Sequence, residues 1–199
     1  MYSQNDEEAI ITGYFQGRTG NLLDVGAYDG LSFSNSRRLI ELGWSGALVE
    51  PLPHAAGRCR ELYRQNQRVS VQEYAIGPED RRVTFHASEM MSTIEAAYEV
   101  HRKKWHTLVF QPIEVQQITL DTLWTLVGRT FDFISIDVEN YNIDLVRQMP
   151  ADIWRALRCL CVEHDDHVGE IQALAAQHGF RTIGHNGENL ILAAPLERS

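Results

Sequence analysis

The chain has 199 residues, 44 % of them hydrophobic, and carries 27 acidic against 18 basic side chains for a formal charge of −9. That size and apolar content suit one domain around one core, and the acidic balance disfavours a surface built to grip phosphate backbones, since non-specific nucleic-acid binding is driven by cations. The polar, acidic start MYSQNDEEAI is not a signal peptide, no apolar run approaches a membrane span, and Cys59, Cys159 and Cys161 fall in no metal spacing, so reduced thiols and a cytoplasmic protein are expected.

Residues 6–16 read as a short opening helix. NLLDVG (21–26) is a buried strand that breaks into a turn at Gly26, and 32–42 spaces Phe33, Leu39, Ile40 and Leu42 helically before Gly43. WSGALVE (44–50) is a second strand, ending on Glu50. Strand, glycine turn, helix and strand in close succession outline a βαβ unit and a parallel sheet. A helix is expected over 55–65, a third strand over 69–76, and an added strand over 81–87 beyond the turn Gly77-Pro78-Glu79-Asp80. Over 88–111 the pattern changes: Met90, Met91, a helix through Tyr98 and the basic cluster HRKKWH (101–106) make this the candidate lid over a ligand, with the basic run either a solvated helix face or a patch for an anionic substrate. PIEVQQITL (112–120) is extended and 120–127 a short helix. FDFISID (131–137) is the fourth main strand, 143–149 a helix closed by Pro150, LRCLCVEH (157–164) the fifth strand, and 169–178 a helix stopped by Gly179. FRTIGHN and ENLILAA, joined at Asn186-Gly187, form a terminal hairpin. Trp44, Trp124 and Trp154 are candidates for the core or for a homodimer surface.

In an open parallel sheet, ligands bind beyond the carboxyl ends of the strands. Here those ends are polar: DVGAYDG (24–30), Glu50, Glu73-Tyr74, Asp137 with Glu139, and Glu163-His164. Gly26 and Gly30 let the backbone turn tightly and approach a ligand, or serve only the strand-to-helix turn. Asp24 and Asp29 beside them disfavour a pyrophosphate and suit a cofactor bearing positive charge. Glu50 is either a solvated acid or the acceptor for two ribose hydroxyls. Asp137 and Glu139, two residues apart, share one face if the strand persists. Three roles compete for them. Glu139 or Asn140 caps the next helix; Asp137 works beside His164 as the acid–base pair for an acceptor hydroxyl; or Asp137, Glu139 and His164, with Glu163 or Asp165 nearby, hold Mg²⁺ or Mn²⁺.

LLDVGAYDGLSFS resembles the first motif of class I S-adenosylmethionine-dependent methyltransferases, and ALVEP (47–51) is similar to their second. FISIDVEN, preceded by ITLDTL, resembles the FkbM family among them, and the likeness covers 20–194. It implies a Rossmann-like α/β fold with a seven-stranded, mostly parallel sheet, an antiparallel last strand and helices on both faces. It also implies an S-adenosylmethionine site lined by Asp24, Gly26, Ala27, Gly30, Ser32, Glu50, Pro51, Tyr74, Ala75 and Asp137, with Glu50 on the ribose and Ala75-Ile76 near the adenine. The segment 91–94 falls near the active-site mouth. The implied activity is methyl transfer to a hydroxyl of a small molecule such as a sugar or polyketide. A nitrogen or nucleic-acid ribose acceptor, or a non-catalytic nucleotide-binding protein of the same fold, are the alternatives. Where the family reads Asp-Val-Glu-Gly-x-Glu, this chain has Asn140 for the glycine and Asn142 for the glutamate.

Overall fold

The computed structural model describes residues 1–88, 93–94, 109–128, 130–139 and 141–195. Asn140 and most of the lid segment, including Met90, Met91, Tyr98 and the basic cluster, lie outside the described residues.

Seven strands make the main sheet: β1 (Asn21–Val25), β2 (Ser45–Val49), β3 (Val69–Gln72), β8 (Phe133–Ile136), β9 (Cys159–Glu163), β10 (Arg181–His185) and β11 (Asn189–Ala193). Their order is β10-β11-β9-β8-β1-β2-β3. β1, β2, β3, β8 and β9 run parallel, and β11 is antiparallel to both β9 and β10. The expected fold class and the Asn186-Gly187 hairpin are both found.

Side chains alternate across this sheet, so each face needs its own helical cover. Leu22, Phe133, Cys159, Cys161 and Ile191 pack with α1 (Glu7–Phe15), α2 (Arg37–Glu41) and α3 (Pro53–Leu62) through Ile11, Phe15, Leu39 and Cys59. Leu23, Val25, Ile134, Ile136, Leu160 and Val162 face the opposite layer. There α4 (Leu120–Val127), α5 (Asn142–Gln148), α6 (Ala151–Ala156) and α7 (Val168–Ala176) supply Leu123, Leu145, Ile153 and Ile171. Trp44, Trp124 and Trp154 are all buried and belong to this core. The three cysteines are buried free thiols. No helix among the described residues is long and apolar enough to cross a membrane.

Two expected elements change shape. The helix expected over 32–42 starts only at Arg37, because the preceding Ser/Asn run bonds locally: the Arg37 amide donates to Ser34 Oγ at 3.0 Å, and Asp29 Oδ1 takes the Leu31 and Ser32 amides. The strand expected over 69–76 divides at Glu73-Tyr74. Its first part is the edge strand β3; its second, β4 (Ala75–Ile76), joins a smaller sheet with β5 (Arg81–Ala87), β6 (Thr93–Ile94) and β7 (Gln111–Ile118) in the order β4-β7-β5-β6. Leu52, Ala55, Ala75, Val83, Phe85 and Val115 form the apolar seam that fastens this small sheet beside β2 and α3.

Candidate active site

Strand register brings the site together. Val25 lies level with Val49 on one side and Ile136 on the other, and Ile136 with Val162. The residues immediately beyond them, Gly26, Glu50, Asp137 and Glu163, therefore emerge abreast at the carboxyl edge. Gly26 has φ of 91°, and a Cβ there would run into the Asp137 carbonyl oxygen, so β1 and β8 approach this closely only because the position is glycine.

Two of the acids are deeply buried. Asp24, 4 % exposed, accepts from the Ser36 hydroxyl. Burial pushes its carboxyl up to about 6, a rise the Ser36 bond opposes and the Asp137 charge reinforces. Glu50, 5 % exposed, is gripped by two backbone amides: Tyr28 N donates to Oε2 at 2.9 Å and Leu52 N to Oε1 at 2.8 Å. Burial raises it to about 7 despite those bonds, with the charges of Asp24 and Asp137 adding to the rise. The two amides fix the carboxylate plane and leave each oxygen a further lone pair.

Two cavities meet over this edge and share Gly26, Tyr28, Asp137 and Glu139. The first, a slot of about 50 Å³, runs between Glu50, Pro51, Tyr74 and Ala75 and the apolar side chains of Val49, Leu52, Ile76 and Phe85. The second, about 310 Å³, is polar and runs past Asp24, Ala27, Ser32, Ser34, Asn35 and Ser135. Among the described residues lining either cavity there is no Lys, Arg or His. Of the residues expected to hold a cofactor, Gly30 lines neither: it packs back on α3, where its carbonyl accepts from Tyr63 Oη at 2.9 Å. Asp29 is likewise spent on loop amides and on Ser32 Oγ.

Asp137, Glu139 and Glu163 each present a carboxylate oxygen, all within 4.8 Å of one another. A shared strand face does not produce this: β8 ends at Ile136, and Glu139 adopts a left-handed φ of 54°, so a turn folds the two acids together. His164, expected in the cluster, is replaced by its neighbour Glu163, because successive side chains at a strand end point to opposite sides. The imidazole is instead enclosed by main chain. Nδ1 accepts from the Asp166 amide at 3.2 Å and Nε2 lies 3.3 Å from the Asn186 carbonyl, tying the end of β9 to the terminal hairpin. It lines neither cavity.

Asn142 plays a part that its spacing did not signal. It is fully buried; Oδ1 accepts from the Val138 amide at 2.8 Å, while Nδ2 donates to Glu163 and to Asp165, each at 2.8 Å. A glutamate at this position has no N–H to give those two carboxylates. Tyr141 stands at the N-cap of α5 and makes no side-chain cap bond, and Asn140, one of the two expected caps, lies outside the described residues. Tyr28, left-handed at φ 47°, and Asn35 are among the further site residues that sequence reasoning missed. For Asn35 the signal was the SFSNS run, which reads as loop as readily as helix.

Residues 24–182 match the methyltransferase FkbM domain family. Among characterised proteins, the 2-O-methyltransferase NoeI of Sinorhizobium fredii (strain NBRC 101917 / NGR234) is 30 % identical over 137 residues, which is 63 % of this chain and 55 % of that protein. The chain thus spans about half the length of this relative. Solved structures share the fold at low identity. A crystal structure of WbdD, a bifunctional kinase-methyltransferase, superimposes with a TM-score of 0.53 at 13 % identity, covering 96 % of this chain and 40 % of that one. The ribosomal protein L11 methylase of Lactobacillus delbrueckii subsp. bulgaricus gives 0.50 at 13 % identity, over 95 % of this chain and 78 % of that one.

Proposed function

The chain belongs to the FkbM methyltransferase family, and from that premise we propose that it transfers a methyl group from S-adenosylmethionine to a hydroxyl of a small molecule such as a sugar, with oxygen as the acceptor atom supported by the likeness to NoeI, which is named a 2-O-methyltransferase. The observation that carries the reading is the pair of cavities joined over Gly26 and Asp137.

The residues present fit the cofactor. The apolar slot suits a purine, Glu50 offers ribose hydroxyls a carboxylate already oriented by two amides, and the acid-lined second cavity suits the cationic end. When bound, S-adenosylmethionine supplies an electrophilic methyl carbon for in-line displacement. The acceptor's proton then needs a base beside the seam of the two cavities, and Asp137, with Glu139 next to it, stands there. His164 has its ring nitrogens occupied by main chain, so we assign it to holding the hairpin. Segment 88–111, which in sequence follows β5 and runs to the start of β7, is our candidate for the lid.

Asp137, Glu139 and Glu163 form an all-oxygen donor set of the kind that Mg²⁺ or Mn²⁺ takes. An ion held there would offset the repulsion among three carboxylates and orient an acceptor with neighbouring hydroxyls.

Calorimetry with S-adenosylmethionine and S-adenosylhomocysteine tests the cofactor: binding of both is expected, and failure of both at millimolar concentration would sink the reading. Methyl transfer to a panel of sugars, assayed with and without EDTA, tests the rest. Loss of turnover with chelator and recovery with Mn²⁺ supports the ion; unchanged turnover removes it and leaves the carboxylates as bases alone.

A further inference from the structure

On the wall of the larger cavity, the buried Oδ1 of Asn35 makes no hydrogen bond within the protein. Asn35 is only 8 % exposed. Its Nδ2 reaches Ser135 Oγ at 3.5 Å, the limit of a hydrogen bond. A buried amide oxygen without a donor is destabilising, and packing alone favours an apolar side chain in its place. The atom needs a donor from outside.

The cavity narrows what that donor is. Asp24, Asp137 and Glu139 face the same space, the hydroxyls of Ser32 and Ser34 complete it, and no described cation lines it. An acceptor oxygen ringed by carboxylates is best satisfied by a positively charged N–H group. S-adenosylmethionine has three kinds of donor: the adenine amine, the ribose hydroxyls and the α-ammonium. The first two belong with the slot, where Glu50 and the apolar walls stand. The α-ammonium is left for the larger cavity.

We infer that Asn35 Oδ1 accepts a hydrogen bond from the α-ammonium of the cofactor, so that the 32–36 loop adds a side chain of its own to the hold on the aminoacyl end. The assignment rests on the cofactor reading above and adds a residue that the motif resemblance did not supply. Ser36, whose hydroxyl bonds Asp24, and Ser34, whose Oγ accepts the Arg37 amide, hold the loop on either side of Asn35. The geometry therefore depends on the same local bonds that delay the start of α2.

The test is calorimetry on the full chain with two ligands: S-adenosylhomocysteine, and 5′-methylthioadenosine, which keeps the nucleoside and the thioether but lacks the aminoacyl end. Asn35→Leu is expected to weaken S-adenosylhomocysteine by about 10- to 100-fold, the range for a hydrogen bond to a charged group, and to leave methylthioadenosine unchanged, which also shows that the variant is folded. Asn35→Asp retains an acceptor and is expected to keep S-adenosylhomocysteine affinity. If Asn35→Asp loses as much as Asn35→Leu, the amide donates to the ligand carboxylate and the assignment falls. Equal affinity of wild type and Asn35→Leu for S-adenosylhomocysteine overturns it too, with the cofactor reading intact. If wild type binds neither ligand, both fall together.

Discussion

Glu50 shows how a single side chain can serve the site at the expense of the fold. Its carboxyl rises from an ordinary 4.5 to about 7 because burial penalises the charge more than two backbone amides relieve it. The folded state therefore holds this proton more tightly than the unfolded chain does. The resulting stabilisation is complete below about pH 4.5 and is lost as pH climbs to about 7, a change of roughly 3 kcal/mol at most. Asp24, raised from 3.8 to about 6, contributes with the same sign. Glu50→Gln should flatten much of the decline: urea unfolding at pH 5 and pH 8 is expected to show the variant gaining on wild type at the higher pH, with Asp24 keeping a residual slope. Its affinity for S-adenosylmethionine should fall, since the ribose loses an ionised acceptor. Parallel pH slopes for the two proteins would show that Glu50 is ionised in the fold at little cost.

At the scale of elements, the ends of β8 and β9 decide which groups face the cleft, through a turn after β8 and through alternation at the end of β9. The strands themselves were legible, FDFISID and LRCLCVEH being too apolar to be anything but central. Which of Glu163 and His164 turns inward was not legible, because it depends on the pleat phase set by pairing with β8 and β11. The same limit hid the division of 69–76: nothing local marks Tyr74 as the point where a strand leaves one sheet for another. Exchanging the two candidate bases separates their roles. His164→Ala is expected to cost about 1–2 kcal/mol of stability, the worth of its hydrogen bonds to main chain, while leaving the pH dependence of methyl transfer unchanged. Asp137→Asn is expected to abolish turnover with little loss of stability. A shifted pH–rate profile in His164→Ala would return the base to the histidine.

Over the whole molecule, the parallel core and its antiparallel hairpin follow from hydrophobic periodicity and one Asn-Gly turn, whereas the site depends on contacts between segments far apart in sequence. Gly26 against Asp137, Glu50 against the Tyr28 amide and Asn142 against Glu163 each join residues that only the finished sheet brings together. The cleft so built is one-signed, with Asp24, Glu50, Asp137 and Glu139 on its walls and no described Lys, Arg or His among them. A one-signed, buried cleft discriminates by charge, and low effective dielectric strengthens the effect. S-adenosylmethionine carries a sulfonium charge that its product lacks, so an ionised cleft should prefer the substrate. Asp24 and Glu50 gain their charges as pH passes about 6 and about 7. The preference for S-adenosylmethionine over S-adenosylhomocysteine should therefore grow several-fold between pH 5.5 and pH 8, lowering product inhibition as the pH rises. Paired calorimetric titrations at the two pH values measure this ratio directly. A ratio that stays flat would mean that the charges of Asp24 and Glu50 do not act on the sulfonium.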